Sequence, residues 1–308
     1  MLTDPGGASA PAAITSETTS IASPVALVPR GSASTTWRRF RRNRGAVIGL
    51  GIIAVYVAMA LFANLLAPYD PLDGQLVLKL QPPSAAHWLG TDELGRDLLS
   101  RLLYGARSSL EIQVTAVAFS LCVGVVWGLV SGYFGGPLDE ASMRVADVLL
   151  AFPSILLAIS IVAILGNGLF SIVLAVGAVS VPQFARLVRG LVLGIRETDY
   201  VEAARAIGES HFSILSRYIL PNTTAPIIVQ TTLRMATVLL VASGLNFLGL
   251  GVVPPTPEWG SMLSNAREYM FQSIHVTLIP GLAITLVVIG FNLVGDGLRD
   301  ALDPRMRS

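Results

Sequence analysis

Charged residues are missing from long stretches of this chain and crowded into the segments between them. The first uncharged run covers Gly45 to Ala67, and its twenty-three residues are enough to cross a hydrocarbon core of about 30 Å. A second covers Ile112 to Phe134. From Val148 to Ala185 there are 38 uncharged residues, which would make about 57 Å of helix, too long for one crossing. Gly166, Asn167 and Gly168 supply a turn that divides this run into a third and a fourth span. The fifth lies roughly between Ala225 and Val253 and the sixth between Val276 and Gly295. The pattern predicts an all-α polytopic membrane protein with six transmembrane helices.

An even number of spans puts both termini on one side. Of the 21 Lys and Arg, fifteen fall in the segments on the N-terminal side, five fall on the other, and Arg234 lies within the fifth span. Short basic loops stay inside, so both termini and the segment from Arg186 to Arg217 are predicted to be cytoplasmic. The cluster WRRFRRNR, Trp37 to Arg44, abuts the first span and reads as its cytoplasmic anchor. Residues 1–36, rich in Ala, Ser, Thr, Pro and Gly, read as a disordered cytoplasmic tail. A signal peptide would need its basic region before its apolar one, and here the order is reversed. The chain thus divides into this tail, an N-terminal span with its external loop (37–104), and a core of five spans (105–308) that includes a cytoplasmic loop (186–225).

Composition supports a membrane protein: 53% of residues are apolar, 13% are charged, and mean hydropathy is +0.65. A net charge of +1 gives no reason to expect nucleic acid as a partner. Cys122 has no second cysteine to pair with, and His87, His211 and His275 show no ligand spacing, so no metal site is expected. Lys79 is the sole lysine and no glycine-rich segment leads to it. A P-loop is therefore absent, and any ATP chemistry must sit on another polypeptide.

Within the cytoplasmic loop lies a polar island, DYVEAARAIGESHFSILSRYILPN, Asp199 to Asn222. Glu202, Ala203, Ala204 and their neighbours favour helix, Gly208 permits a turn, and Pro221 is expected to stop a second helix. Small alanines, a fixed bend and nearby arginines suit an exposed docking element. With Gly208 four residues after Ala204 and Leu220–Pro221 beginning twelve residues further on, the segment resembles the EAA loop of binding-protein-dependent ABC importer permeases, with Tyr218 where Ile is usual. In that family the loop is a cytoplasmic coupling helix that fits a cleft on the ATP-hydrolysing subunit.

Other segments narrow the resemblance. HWLGTDELGRDLLSRLLYGARSSL (87–110), APYDP (67–71), GYFGGPLDEASMRVADVLLAFPS (132–154), FLGLGVVPPTPEWGSM (247–262) and FNLVGDGLRDALDPR (291–305) are similar to C-type subunits of dipeptide, oligopeptide and related nickel permeases. The resemblance implies the type I importer permease fold and a place in the bacterial cell membrane. It implies a second homologous permease, ATP-binding subunits that carry ATP and Mg, an external solute-binding protein and a peptide cargo, with no cofactor on this chain. Asp92, Gly95, Arg96, Asp97 and Arg101 belong to its external-loop signature. Both charges recur there at spacings that suit local pairing on a helical turn as well as docking. Glu140, Arg144 and Asp147 likewise predict a charged helical face.

Pro254, Pro255 and Pro257 cannot continue a helix and are expected to end the fifth span. Gln113, Gln183, Gln230, Arg234, Asn246 and Asn292 are candidate path-lining residues, with helix-to-helix hydrogen bonds the alternative. Arg234, some nine residues into the fifth span, either faces water or a partner or snorkels to the cytoplasmic surface. Nickel or another small solute is an alternative cargo. A self-contained ion-coupled transporter would need intramembrane carboxylates, and only Glu111 lies near a span edge.

Overall fold

The computed structural model describes residues 33–302, with side chains from Thr36 onward. Twelve helices follow one another: α1 (Ala33–Arg42), α2 (Arg44–Leu61), α3 (Ala63–Leu66), α4 (Leu98–Phe134), α5 (Gly136–Ala151), α6 (Ser154–Leu165), α7 (Leu169–Ile195), α8 (Asp199–Ala206), α9 (His211–Ser213), α10 (Leu220–Phe247), α11 (Trp259–Ala266) and α12 (Ile274–Leu302). No strand occurs among the described residues, only two isolated bridges in the loop before α4. Five helical runs are long and apolar enough to cross a membrane, namely α2, α4, α7, the run from His211 through α10, and α12; the bent pair α5–α6 brings the number to six.

That pair is not the straight third span expected from Val148 onward. Its halves meet at 96°, and α6 alone, with 12 residues, reaches about 18 Å. Pro153 holds Phe152 in an extended conformation, φ −83° and ψ 139°, because a residue before proline avoids the α region. The turn at Gly166–Gly168 is where it was predicted, with φ +83° and +146° at the two glycines.

Two helices, α4 and α7, run well past the uncharged stretches, and α1 begins within the expected tail. α4 begins fourteen residues before Ile112, so the boundary between 104 and 105 falls inside a helix. Asp97 caps it, accepting from the Ser100 amide at 2.8 Å, and the helix then carries Arg101, Arg107 and Glu111 along its first turns. α7 continues past Ala185 to Ile195. α1 takes in residues 33–36, which were assigned to the tail; the rest of that tail, residues 1–32, and 303–308 lie outside the described residues.

Two proline expectations fail for identifiable reasons. Pro221 does not stop a helix: Ile214–Ile219 forms a widened π turn in which the Leu220 amide reaches back to Leu215, and the chain runs on into α10. The wider turn tolerates the proline's missing N–H and its ring. At the other end α10 stops at Phe247, well before Pro254. Gly249, at φ +78°, closes it, with the Gly249 amide bonded to the Asn246 carbonyl at 2.9 Å and the Leu250 amide to the Leu245 carbonyl at 2.9 Å, a glycine-terminated C-cap.

α4 and α7 form the most extensive helix pair. Gly124, Gly128 and Gly132 recur every four residues on α4, and a Cβ there would meet Phe184, the Ala185 carbonyl and Val192 at 2.5–2.9 Å. Bare backbone is what permits the approach. A separate cluster of Tyr56, Leu98, Leu102, Leu239, Trp259 and Phe291 joins α2, α4, α10, α11 and α12.

Candidate functional site

The polar island folds as helix, turn, helix. α8 covers Asp199–Ala206 and Gly208 takes φ +81°. Ser210 caps the following turn through the Ser213 amide at 3.2 Å. Glu202 and Ala203 are exposed while Ala204 is buried. Val201, Ala204, Ile214 and Ile219 pack with Tyr133 of α4 and with Val188 and Val192 of α7. The Tyr133 hydroxyl meets His211 Nδ1 at 2.9 Å, and the Arg205 guanidinium lies 5.4 Å from the Tyr133 ring centroid. The loop is thereby fixed to the ends of the most closely packed helix pair. Its outer surface carries two large apolar side chains on either side of the bend, Ile207 at 77% and Phe212 at 80% exposure. Neither was singled out from the sequence; their apolar character was legible, but their exposure depends on the fold. Leu220 and Pro221 lie after the π turn at the start of α10, and Pro221 is exposed.

At the opposite end of the bundle, residues 67–97 and 248–273 form a cap. Asp92 Oδ2 accepts from Arg96 Nε at 2.6 Å and Arg101 Nε at 3.1 Å, and Oδ1 accepts from the Leu94 and Arg96 amides, each at 2.9 Å. Arg101 Nη1 donates to the Pro71 carbonyl at 3.0 Å. Asp97, besides capping α4, meets His87 Nδ1 at 2.9 Å. Asp92, Arg96, Asp97 and Arg101 are all buried. The predicted pairing is present, but residues 91–97 form a loop, not a helical turn. Gly95 sits at φ +74° against the Gln75 carbonyl, where a side chain has no room. These residues hold the cap together from within. The face between α5 and α7 differs from expectation in one partner: Arg144 meets Glu140 at 3.6 Å, but Asp147 pairs with Arg186, not Arg144.

The family described as the binding-protein-dependent transport system inner membrane component matches residues 124–308, and the N-terminal TM domain of oligopeptide transport permease C matches residues 33–83. The chain belongs to this permease family. Among its relatives, the dipeptide transport system permease protein of Alkalihalophilus pseudofirmus is 47% identical over 281 residues, covering 90% of this chain and 92% of the relative. The glutathione transport system permease protein of Pectobacterium atrosepticum is 46% identical over 273 residues, 88% of this chain and 91% of the relative. In fold, the chain is similar to the inward-facing MetNI methionine ABC transporter, with a TM-score of 0.54 at 19% identity over 65% of this chain and 96% of that one.

Within this permease the six candidate path residues lie on α4, α7, α10 and α12. Gln113 donates to the Met235 carbonyl at 2.7 Å, tying α4 to α10. Asn246 donates to Ala242 at 3.0 Å and accepts from the Val252 amide at 2.7 Å, which fixes the end of α10. Gln183 is half-buried in α7 and Asn292 exposed on α12. Gln230 and Arg234 do meet: the amide oxygen of Gln230 accepts from Arg234 Nε at 2.9 Å and Nη2 at 3.2 Å. Because α10 starts at Leu220, Arg234 lies fourteen residues in, about 21 Å along the axis and near mid-helix, not near the end as the shorter run implied. Arg234 is half-buried and bonded to Gln230, so its guanidinium has a partner on the same helix.

Sequence reasoning also passed over Glu258, which caps α11 through the Ser261 amide at 2.9 Å and accepts from Ser109 of α4 at 3.2 Å. Burial pushes its carboxyl up to about 7 from an ordinary 4.5, against the lowering effect of those hydrogen bonds. The folded permease therefore binds more protons than the unfolded chain between these values. Stability should fall as pH rises from about 4.5 to about 7, by up to about 3 kcal/mol, and stay low above. Thermal unfolding in detergent from pH 5 to 8 should show this decline, and Glu258→Gln should flatten it.

Proposed function

We propose that this permease forms half of the transmembrane path of an ATP-driven importer of dipeptides or oligopeptides, and that residues 199–219 are its contact with the ATP-hydrolysing subunit. One observation carries the reading: the loop exposes Glu202, Ala203, Ile207 and Phe212 while its inner face is packed onto α4 and α7. A partner cleft that closes on Ile207 and Phe212 buries apolar surface that is otherwise wet. The same motion is passed to α4 and α7, because Val201, Ala204 and Ile214 cannot slide independently of Tyr133, Val188 and Val192.

The chain supplies no catalysis; ATP and Mg belong to the partner subunits. The excess of basic residues on one side supports a cytoplasmic position for both termini and this loop, which leaves the cap of residues 67–97 and 248–273 outside, for a solute-binding protein to dock. A second, homologous permease completes the path. The names of the dipeptide and glutathione relatives favour a short peptide as cargo over nickel. A pull-down of the tagged chain in mild detergent tests this. Recovery of a second permease and an ATPase subunit, with ATP-dependent uptake of labelled di- or tripeptides and none of Ni²⁺ in proteoliposomes, is expected. Recovery of this chain alone, transporting without ATP, would overturn it in favour of an ion-coupled transporter.

A further inference from the structure

The corner between α1 and α2 has features that the transport reading does not use. Arg44, Ile48, Gly51, Val55 and Met59 recur at intervals of three and four along one face of α2. The last four line, with Ile279, Leu282 and Leu286 of α12, an apolar groove of about 600 Å³. A Cβ at position 51 would meet nothing within 4 Å, so this glycine faces open space in the groove. From Ile48 to Met59 is about 16 Å of helix, close to half the ~30 Å thickness of a bilayer's hydrocarbon core. The groove runs on to Leu89 and Trp259 of the cap, long enough to hold an acyl chain lying along α2.

Its Arg44 end is strongly basic. Arg38, Arg39, Arg41, Arg42 and Arg44 are all exposed, and no ion pair among the described residues engages any of them. α1 is held at this place because Phe40 is buried with Ala46, Val294 and Ala301, while Trp37, stacked on Phe40, is 54% exposed. An apolar helix of another subunit would match the groove but leave the arginines without counter-charge. A lipid with a negative headgroup satisfies both.

We propose that this corner binds one anionic phospholipid, its phosphate against Arg41, Arg42 and Arg44 and one acyl chain in the groove between α2 and α12. The proposal rests on α2 and α12 crossing a bilayer and needs nothing of the cargo or coupling assignments. The test uses the intact complex in mild detergent, titrated with phosphatidylglycerol and with phosphatidylcholine of the same chains, bound lipid being counted by native mass spectrometry. The wild type should retain phosphatidylglycerol at least about tenfold better. The preference should disappear in Arg41→Gln/Arg42→Gln/Arg44→Gln, and Gly51→Leu should lose retention of either lipid. Equal retention of both lipids by the wild type, which requires no variant to fold, would overturn the proposal. So would an unchanged preference in the triple variant, or cross-linking of Val55→Cys to the second permease.

Discussion

Gly208→Pro is expected to reduce ATP-driven uptake to background while the chain still inserts and its spans stay packed. Gly208 sits at φ +81°, and proline is fixed near −65°. The substitution also removes the amide that donates to the Arg205 carbonyl at 3.0 Å, and it pushes Ile207, now at φ −83° and ψ 2°, toward extended backbone. Ile207 and Phe212 then no longer share one surface. Gly208→Ala is the milder control: its Cβ meets nothing within 4 Å, so only the left-handed backbone strain of about 1–2 kcal/mol applies, and uptake should survive in part. Uptake into proteoliposomes and co-purification of the ATPase subunit measure both. Wild-type uptake by the proline variant would remove the loop from the mechanism.

The second large effect is expected in the opposite cap. Asp92→Ala leaves the guanidinium groups of Arg96 and Arg101, with side chains only 7% and 4% exposed, without their shared carboxylate. Removing one member of a buried ionic group costs about 3–5 kcal/mol. Residues 67–97 should therefore open locally, seen as hydrogen exchange faster by roughly two to four orders of magnitude at amides such as Leu80, which is bonded to the Asp92 carbonyl at 3.0 Å. Glu140→Ala is the contrast. Its pair with Arg144 is about three-quarters exposed on both sides, and such pairs contribute about 0–1 kcal/mol. Similar exchange in the wild type and Asp92→Ala would show that the cap is held by other contacts.

The sequence was most informative where one local rule acts alone. The turn at Gly166–Gly168 and the bend at Gly208 are both glycine positions with positive φ, and both were legible. The spans were located by hydropathy, but their ends were not, because helices do not stop where charge begins. Arg101, Arg107 and Glu111 cut short the apparent second span, while Asp97, an N-cap in plain view, marks the true start of α4. Proline misled in both directions: Pro153 breaks a run that looked continuous, whereas Pro221 is absorbed by a π turn. The candidate site was legible as a motif, but its working surface was not. That Ile207 and Phe212 face outward, and that Asp92 and Arg101 face inward, follows from tertiary packing that no spacing along the chain records.

Site-directed cross-linking reads the docking of residues 199–219 on the ATP-hydrolysing subunit. With Cys122→Ser removing the chain's one cysteine, a cysteine at exposed Ala203 is tested in membrane vesicles with and without ATP. A cross-link to the ATP-hydrolysing subunit whose yield changes with nucleotide is expected. A cysteine at position 203 that reacts freely with water-soluble reagents in the assembled complex, and cross-links to no ATPase subunit, would contradict it.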